Sequence, residues 1–194
     1  PVAPKVVPKK VEVVPEVKPW EKIKDPAMVM DQCEAAVAKL VSIVAPGWKI
    51  GDISCTQGSA ATSFKRDFGR ISWMRPKLKL GGKIFSDDGN TMIASSVYSN
   101  VKTITSAPTR GDAVLKNELN ELGQALGMKF NLSSASVTSA QHNVYRHVKF
   151  NFSSTYKPHI WKELLTKFSG LEINSIKYNP VSKVWNYEGV IYVF

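Results

Sequence analysis

An α+β fold, with antiparallel sheets and helices on one face, is what this sequence of 194 residues predicts. Three observations predict it. Apolar residues recur at helical spacing in three segments, stretches of strand-like patterning follow each of them, and one nine-residue pattern occurs twice, each time after a helix. The expected arrangement is two packed subdomains, residues 25–107 and 111–194, built from repeated αββ units.

Residues 1–24 come before any core. Pro1, Pro4, Pro8, Pro15 and Pro19 alternate with Val, Lys and Glu, which removes backbone donors and forbids a continuous helix. This reads as a stalk or linker of extended, solvated chain, about 3 Å per residue at full stretch. No initiator Met and no signal-peptide apolar run is present, so the chain is expected to be a fragment, and no apolar stretch is long enough to span a bilayer, so any membrane anchor would precede residue 1.

The first helix is expected from Asp25-Pro26, a cap followed by proline at the first helical position. Val29, Cys33, Ala36, Val37, Leu40, Val41 and Val44 then fall on one face over about twenty residues, up to Pro46-Gly47. Trp48, Ile50, Ile53 and Cys55 predict a strand kinked at Gly51-Asp52, followed by a turn over 56–60. Phe64, Phe68, Ile71 and Trp73 predict a second strand or bent hairpin ended by Pro76. Residues 77–90, with three glycines and the Asp87-Asp88-Gly89-Asn90 cluster, predict an exposed loop, and residues 92–105 a weak strand.

In the second half Asp112 is the expected cap of a helix with Leu115, Leu119, Leu122 and Leu126 on one face and Gly127 at its end. Phe130 and Leu132 predict a short strand, 133–143 a polar loop, and Val148, Phe150 and Phe152 a strand with one buried face. Pro158 opens a third helix with Ile160, Trp161, Leu164, Leu165 and Phe168 inward, closed by Gly170. Strands 171–178 and 184–194 finish the chain around a turn at Asn179-Pro180-Val181-Ser182. The repeated pattern runs from Gly47 to Cys55 and from Gly170 to Tyr178. Consecutive helix–strand–strand units give residues 111–194 an αββαββ layout, an antiparallel sheet with both helices on one face.

Chemistry-bearing patterns are sparse. His142, His147 and His159 sit in a loop, on the outer face of a strand and at a helix start, so they read as surface residues rather than ligands. Asp87–Asn90 lacks the closing Glu of a calcium loop, and Gly81-Gly82-Lys83 lacks the spacing of a phosphate cradle. No nucleophile elbow or zinc-protease motif occurs, so neither catalysis, a metal nor a cofactor is expected. The formal charge of +10 invites a polyanion, but the Lys and Arg residues are scattered without a recognition helix or an RNA-binding signature, and no nucleic-acid partner is expected. Cys33 and Cys55 match no four-ligand zinc pattern. They are either buried thiols or a disulfide; a helix bearing one and a returning strand bearing the other favour the disulfide, and with it an oxidising compartment. Trp20, directly after the stalk, is expected either to pin the stalk to the body or to meet a partner.

Cys33 on its helix, Pro46-Gly47-Trp48 entering a strand, Cys55, Trp73 near Arg75, Ile176, Tyr178, Trp185 and the closing run from Tyr187 to Tyr192 together resemble the C-terminal region of the PilO family, the pilin accessory proteins of type IVb pilus systems. The resemblance spans residues 26–194. It implies the periplasmic portion of an inner-membrane protein, ferredoxin-like in fold and part of a pilus assembly platform. The stalk would lead to a transmembrane helix outside the sequence. Expected partners are other platform proteins or a second copy of the chain. The expected contacts are the weak strand 92–105 and the terminal strand 184–194, with Trp20, Trp185, Tyr187 and Tyr192 as interface residues. The rival expectation is a basic envelope module that binds peptidoglycan or anionic lipid.

Overall fold

The computed structural model describes residues 16–44, 47–66, 84–86, 91–140 and 143–194. The expected strand through Phe68, Ile71 and Trp73, with Arg75, lies outside them, as do Gly81–Lys83, Asp87–Asn90 and His142. The fold is mixed α+β, with three α-helices among the described residues and a mostly antiparallel sheet.

Asp25 caps α1 (Pro26–Ser42), its carboxylate accepting from the Ala27 amide at 3.0 Å. Val29, Met30, Cys33, Ala36, Val37 and Leu40 are the buried stripe of α1. Helix α2 (Asp112–Ala125) buries Leu115 and Leu119, and its cap is Gly111 rather than the expected Asp112, which falls in the first turn. Helix α3 (Pro158–Leu165) buries Trp161 and Leu165. Ile160, expected inward, is 38% exposed, because it lies beside Trp161 on a helix only two turns long.

The main sheet is assembled from β2 (Trp48–Ile50), β3 (Ile53–Cys55), β4 (Ser59–Arg66), β5 (Ile84–Ser86), β6 (Thr91–Val97), β8 (Asn131–Leu132), β9 (Ser136–Ala140), β10 (Asn143–Ser154), β11 (Leu171–Asn179) and β12 (Val184–Val193). A separate two-stranded ribbon pairs β1 (Ile23–Lys24) with β7 (Thr103–Ile104). The main order is β5-β6-β4-β3-β11-β12-β10-β8, with β2 added on β4 and β9 on β10.

The predicted kink at Gly51-Asp52 separates β2 from β3. Both pair with β4, while the Thr62 hydroxyl donates to the carbonyls of Gly51 and Asp52, each at 3.1 Å. Three expectations shift. The turn over 56–60 gives way to strand at Ser59, the expected loop over 77–90 contains β5, and the polar segment 133–143 contains β9, which hairpins onto β10.

The two halves of the chain share one sheet. Antiparallel pairing of β3 with β11 sets Cys55 opposite Ile176 and Tyr178 opposite Ile53, carrying the ladder across the boundary expected near residue 107. One row of inward side chains therefore crosses the sheet: Ala60, Cys55, Ile176, Tyr187 and Phe152 are successive cross-strand neighbours. Helix α1 packs on β4, β6 and β11, and on α3. Trp161 of α3 meets Phe152 at 4.5 Å, and Phe130 meets both rings, at 4.8 and 6.0 Å. The repeated sequence pattern has a geometric counterpart. Gly47 and Gly170 open its two copies at φ of +84° and +77°, a region glycine enters without the strain of a Cβ.

Polar contacts tie the same helices together. Lys162 pairs with Asp31 at 3.0 Å, and the His159 ring and backbone amide both meet the Glu34 carboxylate at 3.0 Å. The Asp31 hydrogen bond and charge raise the Lys162 pKa, but these exposed pairs orient α1 against α3 more than they stabilise it.

Candidate interaction surface

The chain enters the domain along a fixed path. Pro19–Lys22 form one 3-10 turn, in which the Glu21 carboxylate accepts from the Lys18 amide at 3.1 Å. The Trp20 carbonyl accepts from the Ser106 amide at 2.9 Å, the Ser106 hydroxyl accepts from the Gly170 amide at 2.8 Å, and the Asp25 amide donates to the Lys102 carbonyl at 2.9 Å. Ile23 between them is buried.

The Trp20 indole stands edge-on to Tyr145 at 5.0 Å and to Tyr192 at 6.1 Å, with the Lys18 ammonium 5.9 Å from its centre. Beneath it the Tyr192 hydroxyl donates to Glu172 at 3.3 Å, and the Gln57 amide donates to the other Glu172 oxygen at 2.8 Å. Trp20 thus pins the incoming chain to the sheet face opposite the helices. Trp20→Ala is expected to cost about 1–2 kcal/mol, the scale of a lost aromatic cluster. It should also open the bonds around Lys18–Lys24 to limited proteolysis, which the native junction resists.

Trp185 and Tyr187 are placed differently from expectation. They are 4% and 0% exposed, because the register that sets Tyr187 opposite Phe152 turns alternate residues of β12 toward the helices. Tyr187 stacks on Phe152 at 4.6 Å and donates to the Tyr156 carbonyl at 3.0 Å. Trp185 packs at 4.4 Å from Tyr178, on the wall of a groove of about 330 Å³ between α1 and the turn joining β11 to β12. Nor is the terminal strand a free edge, since β10 and β11 flank it on both sides. Tyr192, one residue out of phase with the inward set, reaches the opposite face below Trp20.

Burial raises the pKa of Tyr98 and Tyr187 above the usual phenol range, the latter helped by the Glu34 charge. Burial, the Glu172 charge and the hydrogen bond to Glu172 push Tyr192 up to about 12. In the unfolded chain phenols ionise near pH ~10, so above that pH the unfolded state holds fewer protons than the native state. The phenols' contribution to stability is therefore expected to be constant below pH ~10 and to be lost as pH climbs toward ~12. Phenolate absorbance at 295 nm should show Tyr98 and Tyr187 ionising only as circular dichroism is lost.

Beside Trp20 lies an open cleft of about 390 Å³. It forms where β10 runs on to Asn143 while β12 ends its pairing at Val193, opposite Arg146. Val144 and Phe194, both on its wall, are 63% and 69% exposed. Its charged lining side chains are those of Lys18 and Arg146, and no Asp or Glu lines it.

Cys33 and Cys55 form a disulfide with Cα atoms 5.8 Å apart, and both are buried. Among the described residues no three His, Cys, Asp or Glu come together to hold a metal, and no helix is long and apolar enough to cross a membrane. His147, expected at the surface, is 9% exposed; burial and then the Lys149 charge lower its pKa. Sequence reading missed Val144 and Arg146. Both belong to the end of β10 that pairs with the unforeseen β9, and the only available signal was a Val-x-Arg step.

Fold and surface define a disulfide-stapled α+β domain whose N-terminal segment is locked onto its sheet. Compared with known proteins, the chain matches no protein-family model, no curated protein and no solved structure.

Proposed function

We propose that the chain is the periplasmic portion of an inner-membrane protein and acts as a non-catalytic scaffold in a type IVb pilus assembly platform. The observation that carries this reading is the rigid junction at Trp20. A stalk that enters through a hydrogen-bonded ribbon and an aromatic pin transmits position from its anchor to the domain, which is what a spacer in an assembly requires. The disulfide agrees with a compartment outside the cytoplasm. The order β11-β12-β10-β8, with α2 before β8 and α3 between β10 and β11, supports a ferredoxin-like αββαββ layout for residues 111–194. The αββ repetition, with residues 25–107 as its own subdomain, is part of the same reading.

A photocrosslinking residue at Val97, Val144 or Val181, all exposed, tests this in cells that assemble type IVb pili. Covalent capture of inner-membrane platform proteins, or of a second copy of the chain, is the expected result. A second reading, the basic envelope module, draws on the charge of +10 and on Lys157 and Lys183 beside the Trp185 groove. Recovery of no pilus protein, together with salt-sensitive pelleting on peptidoglycan or phosphatidylglycerol vesicles, would replace the scaffold by that module.

A further inference from the structure

We infer that the cleft beside Trp20 is a docking site for an acidic segment of a partner protein, one that sets an apolar side chain next to Asp or Glu; this rests on the scaffold reading and names the partner's chemistry. Shape and charge point the same way. Val144, Val193 and Phe194 give the cleft an apolar wall, of which Val144 and Phe194 remain largely exposed, and Val137, directly across from Arg146 on β9, is 61% exposed. Large apolar residues converging at one exposed place mark a contact surface more often than scattered ones do.

The charged side chains are both cations. Among the described residues Arg146 meets no carboxylate within ion-pair distance, whereas Arg110 is paired with Glu118 and Lys116 with Asp112. A guanidinium presents a planar fork that fits a carboxylate through two parallel hydrogen bonds, and Lys18 adds a second positive charge at the Trp20 end. An acidic residue there would be drawn in by both, and the neighbouring apolar side chain of the same segment would fill the space between Val144 and Phe194. The volume, about 390 Å³, suits one or two side chains rather than a folded surface.

The test is an amide-resolved NMR titration of the whole chain with three end-blocked tetrapeptides: Asp-Phe-Asp-Leu, Asn-Phe-Asn-Leu and Lys-Phe-Lys-Leu. The acidic peptide is expected to shift Val144, Arg146, Val193, Phe194 and the Trp20 indole, and to bind at least ~10-fold more tightly than the amide analogue. Arg146→Glu, at an exposed position, should reverse the preference toward the lysine peptide. Lys149→Glu, which adds the same charge three residues away on the opposite face of β10, should leave the order unchanged. Equal binding of acidic and amide peptides overturns the assignment, as do shifts centred elsewhere. So does tighter binding to phosphatidylglycerol vesicles through the same residues, which would make the cleft a lipid site. A null titration beside intact crosslinking to platform proteins removes the cleft and leaves the scaffold; selective peptide binding without such crosslinks does the reverse.

Discussion

Removing the Cys33–Cys55 bridge is expected to lower the unfolding free energy by about 3 kcal/mol. The two residues are 22 apart, and closing a loop of that size in the unfolded chain removes conformational entropy worth about that much at 25 °C. The bridge joins α1 to β3, the strand through which the first half of the sheet meets the second. Its loss frees the unfolded chain without detaching the helix, because the buried stripe of α1 and its contacts with α3 remain. A Cys33→Ala/Cys55→Ala double variant should therefore keep the native circular dichroism spectrum but unfold at a clearly lower urea midpoint, with a somewhat larger slope as its unfolded state expands. Thiol titration adds a second measure. Both sulfurs are shielded, at 0% and 1% exposure, so untreated protein should give no reactive thiol, and unfolded, reduced protein two. Two thiols in unfolded but unreduced protein would contradict the bridge and the compartment it argues for.

What could be read in advance followed from local physics. The three helices announced themselves through 3.6-residue apolar stripes and through proline and glycine at their ends, and β11 and β12 through alternation around an Asn-Pro turn. Their turn closes as that signal implies, with the Asn179 side chain accepting from the Val181 and Ser182 amides at 2.9 and 2.8 Å. The disulfide was legible for a similar reason, since a helix and the strand returning beside it bring their residues within reach.

Non-local choices were hidden. Nothing local to residues 53–55 says that β3 will pair with β11, more than a hundred positions away, and that pairing merges the two expected sheets into one ladder. Segment 133–143 reads as a loop because Ser, Thr and Ala carry no apolar alternation; within it Ser136–Ala140 become β9 by pairing with β10. The sides of β12 could not be assigned for want of register. Trp185 and Tyr187 point to the helices, whereas Tyr192 reaches the far face, because a period of two assigns sides only once a neighbour is known. The cleft at Trp20 depends on all of these choices together, so its chemistry became visible only in the fold.

Gly189→Ala is expected to lower stability by about 3 kcal/mol or more, and Gly189→Val to leave little native protein. Gly189 lies in β12 between Phe150 and Ile173, facing the place where β11 shifts register between Ile173 and Ser175. A β-carbon there would stand 2.7 Å from the Phe150 Cζ and press on the Glu172 carbonyl oxygen as well. The Phe150 ring, 3% exposed, already fills the side-chain position that glycine vacates, and the bulged backbone of β11 closes it from the other side. Neither obstacle is a flexible side-chain end free to swing away, so both strands must spread. Phe150→Leu in the Gly189→Ala background separates the two contributions. It removes the ring contact but not the contact with the Glu172 carbonyl, so it should recover part of the lost stability. Two outcomes in urea unfolding would refute this account of Gly189: full recovery, which would lay the whole cost on the ring, or a Gly189→Ala loss below ~1 kcal/mol, which would mean that the two strands part easily at the point of closest approach.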